Sequence, residues 1–305
     1  MNWRRLGRIV EANPALDWSQ QYAAIPTVRV LNNEILRVYY YSMDLEFNGR
    51  ISCVDVSAVN PNEIIFRSED VMLNVGTAGS FDDGGVCPLQ FLHHENKNWL
   101  YYLGVKRTQD VPYRYFAGVA EENLDGSFSR FQNAPILLPT ESEPDIRSAV
   151  SVVKENSSWR MWYVGASGWI NVNGKDVPTY RIHHATSADG LNWEVDRLDC
   201  INFQNEDEFG FGRPWVMKKA SGFEMFYSIR TKSSGYRLGY ATSEDGYSWE
   251  RKDNELNFSV GSDDWENESV CYPCVVDVNG KRFLFYNGNQ NGKTGFGVAV
   301  LEGQA

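Results

Sequence analysis

Carboxylates recur in four short segments that each precede an apolar run. The acids lie four to six residues before the Pro or Ala that begins the run. Two carboxyl groups that face each other across a pocket can cleave a glycosidic bond, one as acid and one as base or nucleophile. Crowding also raises the pKa of one carboxyl, which keeps it protonated near neutral pH. The pattern therefore predicts a catalytic site formed by Asp83, Asp145, Glu208 and Glu268.

Two arginines and several aromatic residues accompany these acids. Arg147 and Arg213 follow the acids of two segments at matching positions. A guanidinium beside carboxylates can pair with them, or can bind an anionic group of a substrate through two parallel hydrogen bonds. Aromatic rings in the same segments and in a nearby loop can stack on a sugar. We therefore predict that a small or anionic saccharide is bound by Arg147, Arg213, Asp82, Tyr22, Trp169 and Tyr272.

The elements that position these residues follow a repeat. Aromatic runs recur at spacings of 61, 61, 64 and 59 residues, around Tyr41, Tyr102, Tyr163, Tyr227 and Tyr286. The phrase A-T-S-x-D-G-x-x-W occurs at 185–193 and 241–249, and its Asp-Gly predicts a tight turn between two strands. Each unit reads as a first strand that usually starts at proline, an aromatic second strand, a third strand, and an outer strand near Phe66, Phe128, Trp193 or Trp249.

Four antiparallel strands repeated radially are typical of a β-propeller. We predict an all-β fold, a single five-bladed β-propeller domain over residues 1–305 with four antiparallel strands per blade. The blades span approximately residues 20–70, 80–135, 143–200, 207–258 and 267–301. The last unit lacks an outer strand, so residues 2–11 are predicted to close the ring as its fourth strand. The acidic segments would then surround a pocket where the first strands begin.

The net charge and the lengths of the apolar stretches argue against several classes of partner. The formal net charge is −11 and no run of five basic residues occurs, which argues against nucleic acid or an anionic membrane as a partner. No apolar stretch approaches the roughly 20 residues that span a bilayer, and the N-terminus lacks a signal-peptide pattern. The predicted location is therefore the cytoplasm.

No metal or cofactor site is predicted. The cysteines number five, and Cys271 and Cys274 form a C-x-x-C without the second pair or matched histidines that a zinc site needs. His93-His94 and His183-His184 lie in strand patterns, where neighbouring residues face opposite sides of a sheet. We predict buried thiols and strand histidines that bind no metal.

The predicted blades with acidic segments ahead of their inner strands resemble the five-bladed propeller glycosidases of glycoside hydrolase families 43 and 32, and the related glycan phosphorylases of family 130. The aromatic second strands and the S-x-D-G-x-x-W hairpins resemble the same superfamily over almost the full chain. In those families three carboxylates from different blades act as base or nucleophile, as pKa modulator and as acid. The resemblance implies Asp83 as the base, Asp145 as the modulator, and Glu208 or Glu268 as the acid.

The sequence departs from the family pattern in one respect. Families 43 and 32 usually place an Asp directly before the proline of an inner strand, whereas here the residues before the prolines are Ile25, Cys87, Arg213 and Tyr272. The leading hypothesis is a glycoside hydrolase-like enzyme with a central acidic pocket, in which Arg147 and Arg213 bind a carboxylate or phosphate of the substrate. The alternatives are a propeller that binds a sugar or a partner without catalysis, and a phosphorylase that transfers sugar to phosphate.

Overall fold

A computed structural model describes residues 1–166, 168–197 and 199–303, so the predicted domain end at Ala305 lies outside the described residues. The described chain is all-β, with two helices of four residues each. In chain order the elements are β1 (Trp3–Val10), β2 (Gln21–Val30), β3 (Ile35–Met43), β4 (Gly49–Ser57), β5 (Ile64–Arg67), β6 (Gly85–His94), β7 (Lys97–Lys106), β8 (Arg114–Glu122), β9 (Phe128–Arg130), β10 (Ile146–Lys154), β11 (Trp159–Ala166), β12 (Trp169–Val172), β13 (Lys175–Pro178), β14 (Arg181–Ser187), β15 (Glu194–Arg197), β16 (Glu208–Lys219), β17 (Gly222–Thr231), β18 (Arg237–Ser243), β19 (Glu250–Arg251), α1 (Asp253–Leu256), β20 (Cys271–Val278), β21 (Lys281–Asn287), α2 (Asn289–Gly292) and β22 (Phe296–Leu301).

Strand pairing divides twenty of these strands into five antiparallel groups of four. In chain order the groups are β2-β3-β4-β5, β6-β7-β8-β9, β10-β11-β14-β15, β16-β17-β18-β19 and β20-β21-β22-β1. The remaining hairpin, β12-β13, is inserted between the second and third strands of the third group. Short parallel contacts join the first group to the second at Gly49 and Gly85, and the second to the third at Tyr115 and Ile146.

The repeat read from the sequence corresponds to these groups. The five register tyrosines, Tyr41, Tyr102, Tyr163, Tyr227 and Tyr286, all lie in second strands and are all buried. The predicted pairing of the N-terminus with the last unit is confirmed, because β1 runs antiparallel to β22 from Trp3 opposite Leu301 to Val10 opposite Phe296.

The first strands of the groups form the interior of the molecule. Each contacts the next in order, β2 with β6, β6 with β10, β10 with β16, β16 with β20, and β20 again with β2. Aromatic side chains fill the space between neighbouring groups, and Trp162, Phe226 and Phe285 are among the largest that are fully buried. In the described part of the chain no helix has the length and apolar character to span a membrane.

Candidate functional site

A central cavity is built by an irregularity that recurs in all five first strands. The pairing register with the second strand shifts between Ala24 and Thr27, Pro88 and Gln90, Ser148 and Ser151, Gly212 and Trp215, and Cys271 and Cys274. A bulge of this kind frees a residue from the ladder and re-aims its side chain. One residue skipped by each shift lines the same cavity, and we call these five the ring positions: Ile25, Leu89, Ala149, Arg213 and Tyr272.

Four ring positions have a left-handed backbone. The φ angle is 56° at Ile25, 51° at Ala149, 37° at Arg213 and 56° at Tyr272. Residues other than glycine seldom adopt positive φ, and such a conformation costs about 1–3 kcal/mol where the surrounding structure enforces it. Backbone strain of this kind clusters at functional sites, so its distribution marks the cavity as a candidate site.

The cavity has a volume of about 320 Å³ and takes its lining from all five groups. It opens at the end where the first strands begin, because Met43 and Val105 at the ends of second strands also line it. Its charged residues in the described chain are Arg213 and Arg230, and its lining includes no Asp or Glu there. Tyrosine is the commonest residue type of the lining, with seven members: Tyr22, Tyr41, Tyr113, Tyr115, Tyr180, Tyr236 and Tyr272.

Arg213 forms the inner end of the cavity and is 2% exposed. Its Nη1 donates to the carbonyl of Tyr272 at 3.1 Å, and its Nη2 donates to the carbonyl of Pro26 at 2.8 Å, Thr27 Oγ1 at 2.7 Å and the carbonyl of Leu89 at 3.4 Å. These acceptors belong to three other groups, so one guanidinium joins four first strands. No carboxylate of the described chain pairs with it, and burial lowers the pKa of Arg213 to about 10.

Arg230 is the more accessible cation of the cavity. Its Nη1 donates to the carbonyl of Pro178 at 3.3 Å, and within the described residues this is its one hydrogen bond. Its guanidinium lies 5.2 Å from the ring centroid of Tyr180 and 4.7 Å from that of Phe209. Burial opposes its charge, but the neighbouring phenols of Tyr236 and Tyr180 hold the pKa of Arg230 above its ordinary value. The Nε and Nη2 edge is therefore charged and unoccupied by protein groups.

Burial keeps several tyrosines of the cavity neutral at physiological pH. Burial raises the pKa of Tyr115, Tyr180 and Tyr272 well above the ordinary value and raises the pKa of Tyr236 to about 12. The hydroxyls of Tyr113 and Tyr180 lie 3.1 Å apart. Aromatic faces with neutral hydroxyls suit a polar ring that can stack and accept hydrogen bonds.

Four other carboxylates, none of them a predicted catalytic acid, pair with register tyrosines inside the groups. In four groups the register tyrosine donates its hydroxyl to a carboxylate at 2.7 to 3.0 Å, and the same carboxylate binds an arginine. A buried carboxylate is costly unless it is paired and hydrogen-bonded, so the tyrosine and the arginine allow its burial. The four trios are Tyr102-Asp82-Arg130, Tyr163-Glu143-Arg147, Tyr227-Asp253-Arg251 and Tyr286-Glu266-Arg5.

The first group has no such trio around its register tyrosine. Tyr41 lines the cavity instead, and Tyr22 stacks against it with ring centroids 6.0 Å apart. The sequence offered no acid ahead of this first strand, and the structure puts an aromatic pair at that place.

The acidic pocket expected from the sequence is not formed by the described lining residues, because none of the predicted acids lines the cavity. Asp82 is fully buried, where it accepts hydrogen bonds from Tyr102, Arg130 and Ser80. Arg147, expected to bind substrate, pairs with the Glu143 carboxylate at 3.0 Å.

Glu208 is also tied within the protein. Both of its carboxylate oxygens accept hydrogen bonds from Arg251, at 2.7 and 3.0 Å. Burial acts to raise the pKa of Glu208, but the hydrogen bond from Arg251 outweighs it and holds the pKa below its ordinary value. Glu208 is therefore an ionised partner of Arg251.

Asp83 and Asp145 come just before β6 and β10, at the end of the first strands where the cavity opens, which we call its mouth, and each lies beside a cation. Asp83 pairs with Lys106 at 2.5 Å, and although burial acts to raise the pKa of Asp83, this ion pair lowers it. Asp145 accepts hydrogen bonds from Arg114 at 2.8 Å and from the indole of Trp169 at 3.3 Å. The side chain of Glu268 is exposed in the loop before β20. Catalytic roles for these acids stay predictions.

Three of the predicted binding residues, Tyr22, Arg213 and Tyr272, are brought together in the cavity. The predicted binding residues exclude Arg230, whose strand position favours a solvated edge, and the tyrosines at 113, 115, 180 and 236. A signal for Arg230 was present, because it lies three residues after its register tyrosine, as Val105 does in the second group.

No metal site is found in the part of the chain that the structure describes. No three His, Cys, Asp or Glu side chains lie close enough there to hold an ion. All five cysteines are buried and form no disulfide. His183 lies 3.2 Å from the Glu143 carboxylate, and His184 lies 2.6 Å from that of Asp196.

Comparison with known proteins identifies the fold and the family. No protein-family model matches the sequence. Among solved structures, the TM-score is 0.73 with a complex of BT0996 and RGII at 15% identity, covering 99% of this protein and 92% of that one. It is 0.66 with a thermostable family-43 glycoside hydrolase at 14% identity, covering 95% and 91%. The predicted resemblance is confirmed for the fold, which is that of the glycosidases related to families 43 and 32.

The sequence itself has a relative of the same length. It is 33% identical over 302 residues to the uncharacterized protein Rv1502 of Mycobacterium tuberculosis, covering 99% of this chain and 100% of that protein. The chain therefore belongs to the same family as Rv1502.

Proposed function

We propose that the protein binds an anionic saccharide in the central cavity, through Arg230 and the surrounding tyrosines. The supporting observation is a cavity with two arginines and no carboxylate among its described lining residues, in a protein of net charge −11. Walls of low dielectric focus the field of these cations, so the cavity attracts anions despite the acidic surface. The complex of BT0996 and RGII, which shares the fold, supports a saccharide as the ligand class.

We also propose that the five groups are the blades of one closed five-bladed propeller. The ordered contacts among the first strands and the pairing of β1 with β22 support this arrangement. In such a ring each blade contributes one ring position to a cavity on the axis. The cytoplasmic location remains a prediction.

Cleavage of a glycosidic bond is the second candidate function. It is favoured by the glycosidase fold and by Asp83 and Asp145 at the mouth of the cavity. Each of these acids is paired with a cation, which suits a base or nucleophile but disfavours a proton donor. The positions where family 43 and 32 enzymes usually hold an Asp before proline are occupied by other residue types. We therefore favour binding without cleavage.

Calorimetric titration tests the binding proposal. The ligands are galacturonate, glucuronate, glucose 1-phosphate and glucose 6-phosphate, with glucose and galactose as neutral controls. We expect at least one acidic sugar to bind about 10-fold more tightly than its neutral parent, a difference of about 1.4 kcal/mol. Its affinity should fall as salt rises from about 50 mM to about 500 mM, because screening weakens charge attraction. Equal affinity for acidic and neutral sugars would show the proposal to be wrong.

Substitution of the mouth acids separates binding from cleavage. In Asp83→Asn and Asp145→Asn, affinity for the bound sugar should change less than about 3-fold, since neither residue lines the cavity. The unchanged protein should release no sugar from the aryl glycoside of that ligand during long incubation, measured by chromatography. If the unchanged protein releases sugar and either variant does not, hydrolysis is established instead. If release of sugar requires added phosphate, the reaction is transfer of sugar to phosphate.

A further inference from the structure

We infer that the group bound by Arg230 is the carboxylate of a uronate, held side-on by Nε and Nη2, and that one terminal sugar ring fills the cavity. This inference rests on the proposed function and narrows its ligand from anionic saccharides to sugar acids.

The first argument is the free edge of Arg230. The guanidinium has five N–H donors in a fixed plane, and its Nη1 is engaged by the carbonyl of Pro178 at 3.3 Å. The Nε and Nη2 donors form the side edge, which makes two parallel hydrogen bonds to a planar carboxylate. The aromatic rings of Tyr180 and Phe209 lie 5.2 and 4.7 Å from the guanidinium carbon and limit its movement. The edge is therefore held ready for a flat anion.

The second argument is the number of free donors. A phosphate presents three acceptor oxygens, whereas a carboxylate presents two. In the described lining, Arg230 is the one cation with two adjacent free donors, because both Nη groups of Arg213 are bound by backbone and hydroxyl oxygens and only its Nε has no partner. Two parallel donors match the two oxygens of a carboxylate and leave the third oxygen of a phosphate without an arginine donor. The neutral tyrosine hydroxyls can complete the hydrogen bonding of the carboxylate.

The third argument is size. At about 320 Å³ the cavity is at the lower end of the range for ligand pockets, about 300–1,000 Å³. Arg213 closes its inner end, so a saccharide enters from the mouth with one terminal ring. The rest of a longer saccharide would extend past the mouth, where Trp169 lies next to Asp145. A polymer lying across the face of the molecule would leave the cavity unfilled.

Binding of uronates and phosphates to variants of Arg230 tests the inference. The probes are glucuronate, galacturonate and glucose 6-phosphate, titrated by calorimetry into the unchanged protein, Arg230→Lys and Arg230→Gln. Lysine keeps the positive charge but lacks the planar guanidinium, which donates two parallel hydrogen bonds to a carboxylate. We expect uronate affinity to fall at least about 10-fold in Arg230→Lys and at least about 30-fold in Arg230→Gln, as for loss of hydrogen bonds to a charged group.

Arg237→Gln is the matched control. Arg237 is exposed on β18, where it lies opposite Ile229, the residue before Arg230, and it does not line the cavity. The substitution removes one positive charge close to the site without changing the guanidinium of Arg230. Affinity should change less than about 2-fold, and thermal unfolding of all variants should confirm that each is folded.

The pH dependence provides a second measurement. A uronate stays ionised above about pH 5, and neither Arg230 nor the cavity tyrosines with raised pKa titrate below about pH 9. Uronate affinity should therefore be constant from about pH 5 to about pH 9. Binding of a phosphate would strengthen or weaken across its second ionisation near pH 6.

The outcomes distinguish this inference from the proposed function. Tighter binding of glucose 6-phosphate than of both uronates, or full uronate affinity in Arg230→Lys, would overturn the inference while leaving an anionic saccharide as the ligand class. Failure of every acidic sugar to bind better than its neutral parent would overturn the proposed function itself. A preference for uronates that is lost in the two Arg230 variants and kept in Arg237→Gln supports the inference and the proposed function.

Discussion

Replacing Arg213 with methionine is expected to destabilise the protein by about 3–5 kcal/mol, because it removes the hydrogen-bond donor of several buried acceptors at once. Methionine is apolar and of similar length, so it fills the space but donates no hydrogen bond. The carbonyls of Pro26, Leu89 and Tyr272 and the Thr27 hydroxyl then lose their donor in the interior. Each unsatisfied buried acceptor costs about 1–3 kcal/mol.

Thermal unfolding measured by calorimetry checks this expectation. For a protein of this size a loss of 1 kcal/mol lowers Tm by about 2 °C, so Arg213→Met should lower Tm by about 6–10 °C. Arg213→Lys keeps the charge but cannot reach all four acceptors, and its Tm should lie between the two. Arg237→Gln is the control for loss of an arginine that does not line the cavity. A Tm within about 1 °C of the unchanged protein in Arg213→Met would contradict a structural role for this guanidinium.

Deleting residues 1–12 is expected to lower Tm further than any single substitution. The deletion removes β1, whose Trp3 and Val10 are buried in the core shared with the last group. It also removes Arg5, which leaves the buried carboxylate of Glu266 without its cation. Loss of a buried tryptophan alone costs about 3–5 kcal/mol, and the exposed edge of β22 would promote association between molecules. We expect a fall in Tm of at least about 10 °C, together with aggregation detected by light scattering.

Adding the missing strand separately tests the cause of that loss. A synthetic peptide of residues 1–12 should pair with β22 and restore part of the lost Tm in proportion to its concentration. Arg4→Ala is the control within β1, because Arg4 is exposed and its ion pair with Glu302 is on the surface, so Tm should stay the same. An unchanged Tm after deletion would refute closure through β1.

The arrangement of strands could be predicted because each group must bury the same aromatic face. The register tyrosines mark the second strands at a nearly constant spacing, and this spacing then places the first strands and the outer strands. The missing outer strand of the last unit and the matching N-terminal segment were sufficient to predict the pairing of β1 with β22. Residue types and their spacing repeat in every group, so the strand order could be predicted without knowing where the side chains lie.

The candidate site could not be predicted to the same extent, because adjacent residues face different surroundings. Asp82 is buried beside Tyr102, whereas Asp83 lies at the mouth beside Lys106, and nothing in the sequence separates the two. Arg213 lines the cavity, but its partners are carbonyls of distant strands, which all residue types possess. Which residue a bulge frees depends on strand pairing, so the ring positions became visible only in the structure.

The left-handed backbone of four ring positions lowers stability while it shapes the cavity that binds the ligand. At Ile25 the φ of 56° is combined with a β-branched side chain, the type least suited to it. Glycine or asparagine would relieve that strain, but the cavity would lose an apolar wall at the same time. A variant of this protein selected for heat resistance is therefore expected to change first at the ring positions, and to lose ligand affinity as it gains stability.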